Sequence, residues 1–207
     1  NHLEEMVASQ VAEMTRMQDE VITGIANLIE SRDGSTGLHV KNTQNYVQIL
    51  TKALREKGMY PDILDHNYEL NTVKASVLHD IGKIKTPDAI LLKPGRLTDE
   101  EFEVMKQHTV AGCEIIDRII GNVEHEEYVD IARKIARYHH ERWDGTGYPD
   151  GLSGEEIPLC ARIMALADVF DALYQDRCYK KAIRPASKVF EIIKENSGSQ
   201  FDPNLTE

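Results

Sequence analysis

The stretch RYHHERWDGTGYPDG, Arg137 to Gly151, ends a helix-like run in two adjacent imidazoles, His139 and His140. A loop follows at once, with glycines at 145, 147 and 151, the sole tryptophan, Trp143, and a Gly147-Tyr148-Pro149 corner. Adjacent residues on a helix point about 100° apart, so the two rings can reach different sides of one centre, or two neighbouring centres. The glycines let the following backbone approach a ligand or partner closely. Pro149 fixes the corner behind Tyr148.

Working outward, the apolar spacing is helical nearly throughout. Helices are predicted over residues 1–31, from Leu38 to Lys57, and through Leu70, Val73, Val77, Leu78 and Ile81, a run that carries His79-Asp80. Thr98 to Glu101 forms a capping-box pattern that starts a helix running to Ile120. Further helices are predicted from Glu126 to His140, Pro158 to Tyr174 and Pro185 to Asn196. GMYPDILDHN and LLKPGRL read as connections, and no strand-like alternation runs beyond a few residues. The expectation is an all-α fold, a compact multi-helix bundle with an N-terminal helical linker. Residues 1–29 form the linker and 30–207 the main domain.

That first helix carries apolar side chains at 7, 11, 14, 21, 25 and 28, with Gln18 in the same series. The 4-3 spacing fits a heptad seam. Two readings stand: a dimerising stalk, or an amphipathic helix packed on its own domain.

Composition narrows the function classes. With 35 acidic against 24 basic residues and a net charge of −11, a nucleic-acid groove or a polybasic membrane surface is disfavoured. Bound divalent cations can still invert the local field for a small anionic ligand. Cys113, Cys160 and Cys178 show no CxxC spacing and read as reduced thiols of a cytoplasmic chain. No apolar run is long enough for a membrane span. The chain opens at Asn1, and Asp202-Pro203 reads as the start of a helix that does not develop, which suggests a fragment of a longer protein.

The chemistry concentrates in His39, His79-Asp80, His108, His139-His140 and Asp168. Each falls on a predicted helix among apolar neighbours. Imidazoles and carboxylates on facing helices are how bundles build buried metal centres. Any one alone is more simply a hydrogen-bonded core histidine or a solvated acid. Seven together would leave many buried polar atoms to satisfy, at ~1–3 kcal/mol each. A nitrogen and oxygen set without thiolate suits iron or manganese. His2, His66 and His125 lack that setting and are expected to be exposed.

HDIGKI (79–84), HHERWDGTGYP (139–149) and ADVFDAL (167–173) resemble the HD-GYP family, a branch of the HD phosphohydrolases. The resemblance runs from about Glu30 to Pro203 and includes TGLH (36–39), PDAILLKPGRL (87–97), GLSGEEIPLCARI (151–163), RCYKKA (177–182) and GSQFDP (198–203). It implies an HD-type helical bundle, a bound iron or manganese cluster, and hydrolysis of the bacterial second messenger cyclic di-GMP by attack of a metal-bridging hydroxide. By the same analogy Asp80 bridges two divalent metals. His39, His79 and Asp168 complete one, and His108, His139 and His140 the other.

Lys83 lies one helical turn beyond His79, placed to hold a phosphate oxygen as charge develops. Arg177 and Lys180 match family positions that contact phosphate, with Cys178 standing where proline is common. Tyr148 and Trp143 are candidates for core packing, ligand stacking or partner contact, because the family loop is also associated with docking on GGDEF-type cyclase domains. Some members carry a glutamate one turn before the first ligand histidine that helps hold a third metal. Here that position is Ser35, so two metals are expected. Asp171 either orients a ligand or braces its helix.

The resemblance leaves two alternatives: a phosphohydrolase for another cyclic dinucleotide, or a non-catalytic module that docks on a partner. Loss of metal ligands would favour the module, and all seven are present. An upstream sensor or receiver domain is expected.

Overall fold

The computed structural model describes residues 2–33, 38–121, 126–175 and 182–207. Ser35, His125, Arg177, Cys178 and Lys180 lie outside them. Eight α-helices stand among the described residues, in the order α1 (His2–Glu30), α2 (His39–Glu56), α3 (His66–Ala75), α4 (Asp88–Leu91), α5 (Asp99–Ile120), α6 (Glu126–Tyr138), α7 (Leu159–Tyr174) and α8 (Ala186–Glu195). No strand occurs among them, only an isolated bridge between Ser197 and Phe201. The all-α expectation holds.

The start and stop chemistry of several helices follows the sequence. Thr98 accepts a bond from Glu101 N while the Glu101 carboxylate reaches back to Thr98 N, so the capping box forms as read. Asp65 caps α3 through Tyr68 N. Asp202 accepts from Asn204 N and opens a single 3-10 turn, Pro203–Leu205.

Helix α7 is the centre of the bundle. Leu159 to Ala167 are all buried, as expected of a helix that is apolar all round. It lies against α2 and α6, while α5 packs along α6 and α3 crosses both α2 and α6. Val47, Ile131, Ile135, Ile163 and Met164 fill the space between them. Arg162, buried on the same helix, pairs at 2.5 Å with Asp202, which also accepts from Tyr60.

The helix predicted through His79-Asp80 is not continuous. The α-helix ends at Ala75, and the chain continues as two 3-10 turns, Ser76–Leu78 and Ile81–Lys85, with His79 and Asp80 between them. Packing explains the break. At Gly82 a Cβ would stand 1.8 Å from the His108 carbonyl oxygen. The segment is therefore pressed backbone to backbone against α5. The tighter winding stacks residues three apart, which brings Lys83 directly to Asp80.

A similar correction applies to α6. It stops at Tyr138, so His139 and His140 occupy the turn after the helix rather than its last positions. The 145–151 loop folds back underneath. Glu141, buried, accepts the amides of Asp150, Gly151 and Leu152 at 2.8, 3.1 and 3.1 Å. Tyr148 N donates to His140 O. At Gly147 a Cβ would collide with Arg142 N at 2.4 Å, so the close return needs glycine there.

The first helix joins the core only near its end. Ala26, Ile29 and Glu30 are buried, whereas Val7, Val11, Met14, Val21 and Leu28 are all more than half exposed. Arg32, just beyond, donates to the carbonyls of Lys83 and Ile84 and pairs with Asp88 at 2.6 Å. No helix among the described residues is long and apolar enough to cross a membrane.

Candidate metal centre

Five segments of the chain deliver seven donors to one place. His39 is the first residue of α2, His108 lies mid-way along α5, and Asp168 sits in the second half of α7. His79 and Asp80 come from the break between the 3-10 turns, and His139 and His140 from the turn after α6. His39, His79, His108 and His139 are buried.

Their donor atoms fall into two groups. His39, His79 and Asp168 form one, and Asp80, His108, His139 and His140 the other, each with its atoms within 4.8 Å of one another. Asp80 lies between them. Its Oδ2 is 3.3 Å from His79 Nε2, while its Oδ1 is 3.3 Å from His108 Nε2 and 3.8 Å from His139 Nε2. The ring centroids step across the site: 5.5 Å from His39 to His79, 5.3 Å from His79 to His139, and 4.0 Å from His139 to His140.

Four imidazoles are held by their outer nitrogen. His79 Nδ1 lies 2.9 Å from Ser76 O, His108 Nδ1 2.7 Å from Met105 O, and His139 Nδ1 2.9 Å from Ile135 O. A carbonyl only accepts, so each Nδ1 carries a proton and each Nε2 is left to face the site. His39 Nδ1 meets Asp171 Oδ2 at 2.6 Å. Asp171, left open in the sequence, therefore orients a candidate ligand.

The fit to a cation is visible in what remains unpaired. His79 Nε2, His108 Nε2, His139 Nε2 and Asp80 Oδ1 are buried without a hydrogen-bond partner. Native interiors rarely leave such atoms alone. Four of them converging on one space, with tautomers fixed by carbonyls behind, is the arrangement of metal ligands with their supporting shell. The all nitrogen and oxygen donor set accommodates divalent iron or manganese.

Electrostatics separate the two acids from two of the rings. Burial works against ionisation of Asp80, but Lys83 and His79 outweigh it and hold the carboxyl well below the usual range. Burial likewise opposes Asp168, and its bond to His39 holds it low. Burial pushes His108 down to about 4. Burial, with His139 and His108 beside it, pushes His140 well below its ordinary value. The site thus presents ionised carboxylates and at least two neutral imidazoles near pH 7, while a metal would displace a proton from the raised ring of His39.

Lys83 Nζ stands 2.6 Å from Asp80 Oδ2, on the rim of the centre. Tyr148 lies over His140, ring centroids 4.9 Å apart. Trp143 is turned away, under the Arg162 guanidinium at 5.7 Å, with its amide bonded to Gln200 O. It is a loop anchor.

The sequence motifs do not single out Glu30 as part of the site. It is buried at the end of α1, with Oε1 3.7 Å from His39 Nε2 and Oε2 accepting from Val40 N at 3.2 Å. A signal existed: a carboxylate at a helix C-terminus opposes the macrodipole and needs another reason to be there.

The HD-domain family model matches residues 3–205. A Vibrio cholerae protein named "Probable cyclic di-GMP phosphodiesterase" is 44% identical over 206 residues, 98% of this chain and 46% of that protein. Another from the same organism, "Cyclic di-GMP phosphodiesterase", is 46% identical over 198 residues, 94% of this chain and 39% of that protein. The chain thus spans less than half the length of these relatives. Among solved structures, a V. cholerae cyclic GMP-AMP phosphodiesterase shares the fold, with TM-score 0.61 and 19% identity over 89% of this chain and 46% of that one. With the HD pair, the paired histidines and the GYP corner in place, this chain belongs to the HD-domain family, in its HD-GYP branch.

Proposed function

We propose that this chain is the catalytic part of a cytoplasmic, metal-dependent phosphodiesterase that opens cyclic di-GMP. The observation that carries the reading is Asp80, a half-buried carboxylate between two donor groups, with one oxygen toward each. Two divalent cations, iron or manganese, would supply an acidified water and Lewis acidity at phosphorus. His39, His79 and Asp168 would hold one, His108, His139 and His140 the other, and Asp80 both. Lys83 holds a phosphate oxygen and offsets the charge that grows there. Arg177 and Lys180 are assigned to the second phosphate of the substrate. The test is product analysis of protein purified without oxygen and loaded with ferrous iron or manganese. Linear dinucleotide or GMP from cyclic di-GMP is expected. A fully metallated protein that releases neither sinks the proposal.

A second substrate has a specific observation behind it. A V. cholerae relative, 35% identical over 197 residues, is named a 3'3'-cGAMP-specific phosphodiesterase. Identities of 44% and 46% to the two cyclic di-GMP relatives favour cyclic di-GMP. Rates on the two substrates side by side decide between them.

The proposal extends to assembly. The seam of α1 would dock on the same seam of a second copy, in parallel. Val21 and Leu28 are 56% and 70% exposed although their turns touch the bundle, which supports a partner for the stripe over packing on its own domain. Gln10, Thr15 and Met17 flank it without charge, and Gln18 within it would set the register.

A further inference from the structure

We infer that Phe102 and Lys106, on the face of α5 turned toward the GYP corner, form the seat for one guanine of the dinucleotide. This rests on the phosphodiesterase reading above. A line of rings leads outward from the donor groups. His108 and His140 have centroids 5.1 Å apart, Tyr148 covers His140 at 4.9 Å, and Phe102 meets Tyr148 edge-on at 5.9 Å and 84°. Phe102 is 42% exposed and sits in the otherwise acidic first turn of α5, outside the hydrophobic core. It therefore keeps a large part of its ring open to solvent beside the site, where a planar ligand can reach it. Lys106 Nζ stands 5.0 Å from the Phe102 centroid and 5.7 Å from that of Tyr148.

The chemistry matches a purine. An exposed aromatic face stacks any base. A lysine beside it donates to the O6 and N7 acceptors of guanine, whereas adenine offers a donor where guanine has O6. Lys106 is occupied by Glu103 at 2.6 Å, but the Glu103 side chain is 66% exposed. Such a pair is weak and yields readily to a ligand. With a phosphate at the metal-loaded centre and Lys83, a nucleoside extended along the His140–Tyr148 line would reach this seat. Phe102 and Lys106 are therefore specificity residues, remote from the reacting bonds.

Steady-state kinetics on the metal-loaded protein tests the seat. Phe102→Leu should raise KM for cyclic di-GMP about tenfold, with kcat within about twofold of the parent and metal content unchanged. Phe102→Tyr, which keeps a stacking face, should restore the parent KM. Lys106→Met should narrow the preference for cyclic di-GMP over cyclic di-AMP by about tenfold. A Phe102→Leu protein with the parent KM removes the stack, and a Lys106→Met protein with the parent preference removes the guanine contact. Either result leaves the phosphodiesterase reading standing. A metallated parent that turns over no cyclic dinucleotide overturns both.

Discussion

Asp171 Oδ2 lies 2.6 Å from His39 Nδ1, and Asp168 Oδ1 lies 3.3 Å from Nε2 of the same ring. Two acids one turn apart on α7 thus bracket a single imidazole. Burial alone would lower the His39 pKa, but these two bonds push it up to about 10. Asp171→Ala should leave the helices intact by circular dichroism and lower metal affinity about 10- to 100-fold. Asp171→Asn keeps an acceptor and should lose less. Chelator competition reads both, and affinity equal to the parent in the alanine variant would show that Asp171 only braces α7.

The two donor groups predict graded metal losses. The parent should hold about two ions per chain by elemental analysis. Asp168→Ala touches one group and should retain about one. Asp80→Ala touches both and should retain close to none, with activity lost as well. Full occupancy in the Asp80→Ala protein would mean that Asp80 does not serve both ions.

The metal-free protein should weaken in mild acid. The folded-state pKa values of His108 and His140 are depressed, while an unfolded imidazole titrates near 6.5. Below that value the unfolded chain binds the extra protons, so stability falls as pH drops toward 4. His39 and His79 are raised, so their contributions are complete below about 6.5 and fade as pH rises above it, for His39 through about 10. Asp80 and Asp168 are depressed acids and lose theirs only below about pH 3.9. Between pH 7 and 5 the depressed imidazoles decide, and the melting temperature should drop by about 5 °C or more. A melting temperature equal or higher at pH 5 would contradict this, and bound metal should largely abolish the drop.

Assembly is checked by sedimentation. The chain should show a concentration-dependent dimer, and a version starting near Gln18, which lacks Val7, Val11 and Met14, should not. Monomers in both cases up to high concentration would remove the stalk.

Much of the site was legible because its donors come as short motifs. His79-Asp80 and His139-His140 are adjacent pairs, and His39, His108 and Asp168 sit among apolar residues that face the core. What the periodicity could not give was backbone detail. Apolar spacing reads the same through an α-helix and a 3-10 turn over a few residues, so the break at His79-Asp80 was hidden. It is set by contact between Gly82 and His108, 26 residues away in sequence. Glu30 escaped for a related reason, since it is nine positions from His39 and reaches it only through the turn after α1. The exposed stripe of α1 was legible as a pattern. The sequence could not say which face its last turns bury.

Arg32 joins the end of α1 to the strip of backbone that carries Lys83, through the Lys83 and Ile84 carbonyls and Asp88. Two residues earlier, Glu30 touches His39 and the first amide of α2. A rotation of α1 would therefore be passed to both segments through these contacts. A roll of about 20° moves its Cα atoms by ~0.8 Å on a 2.3 Å radius, and side-chain tips farther. That shift would be delivered to the phosphate-holding lysine and to the first imidazole together. Displacements of ~1 Å at reacting groups change rates about a hundredfold, so a roll of that size at the end of α1 would act as a crankshaft whose throw matches the tolerance of the chemistry.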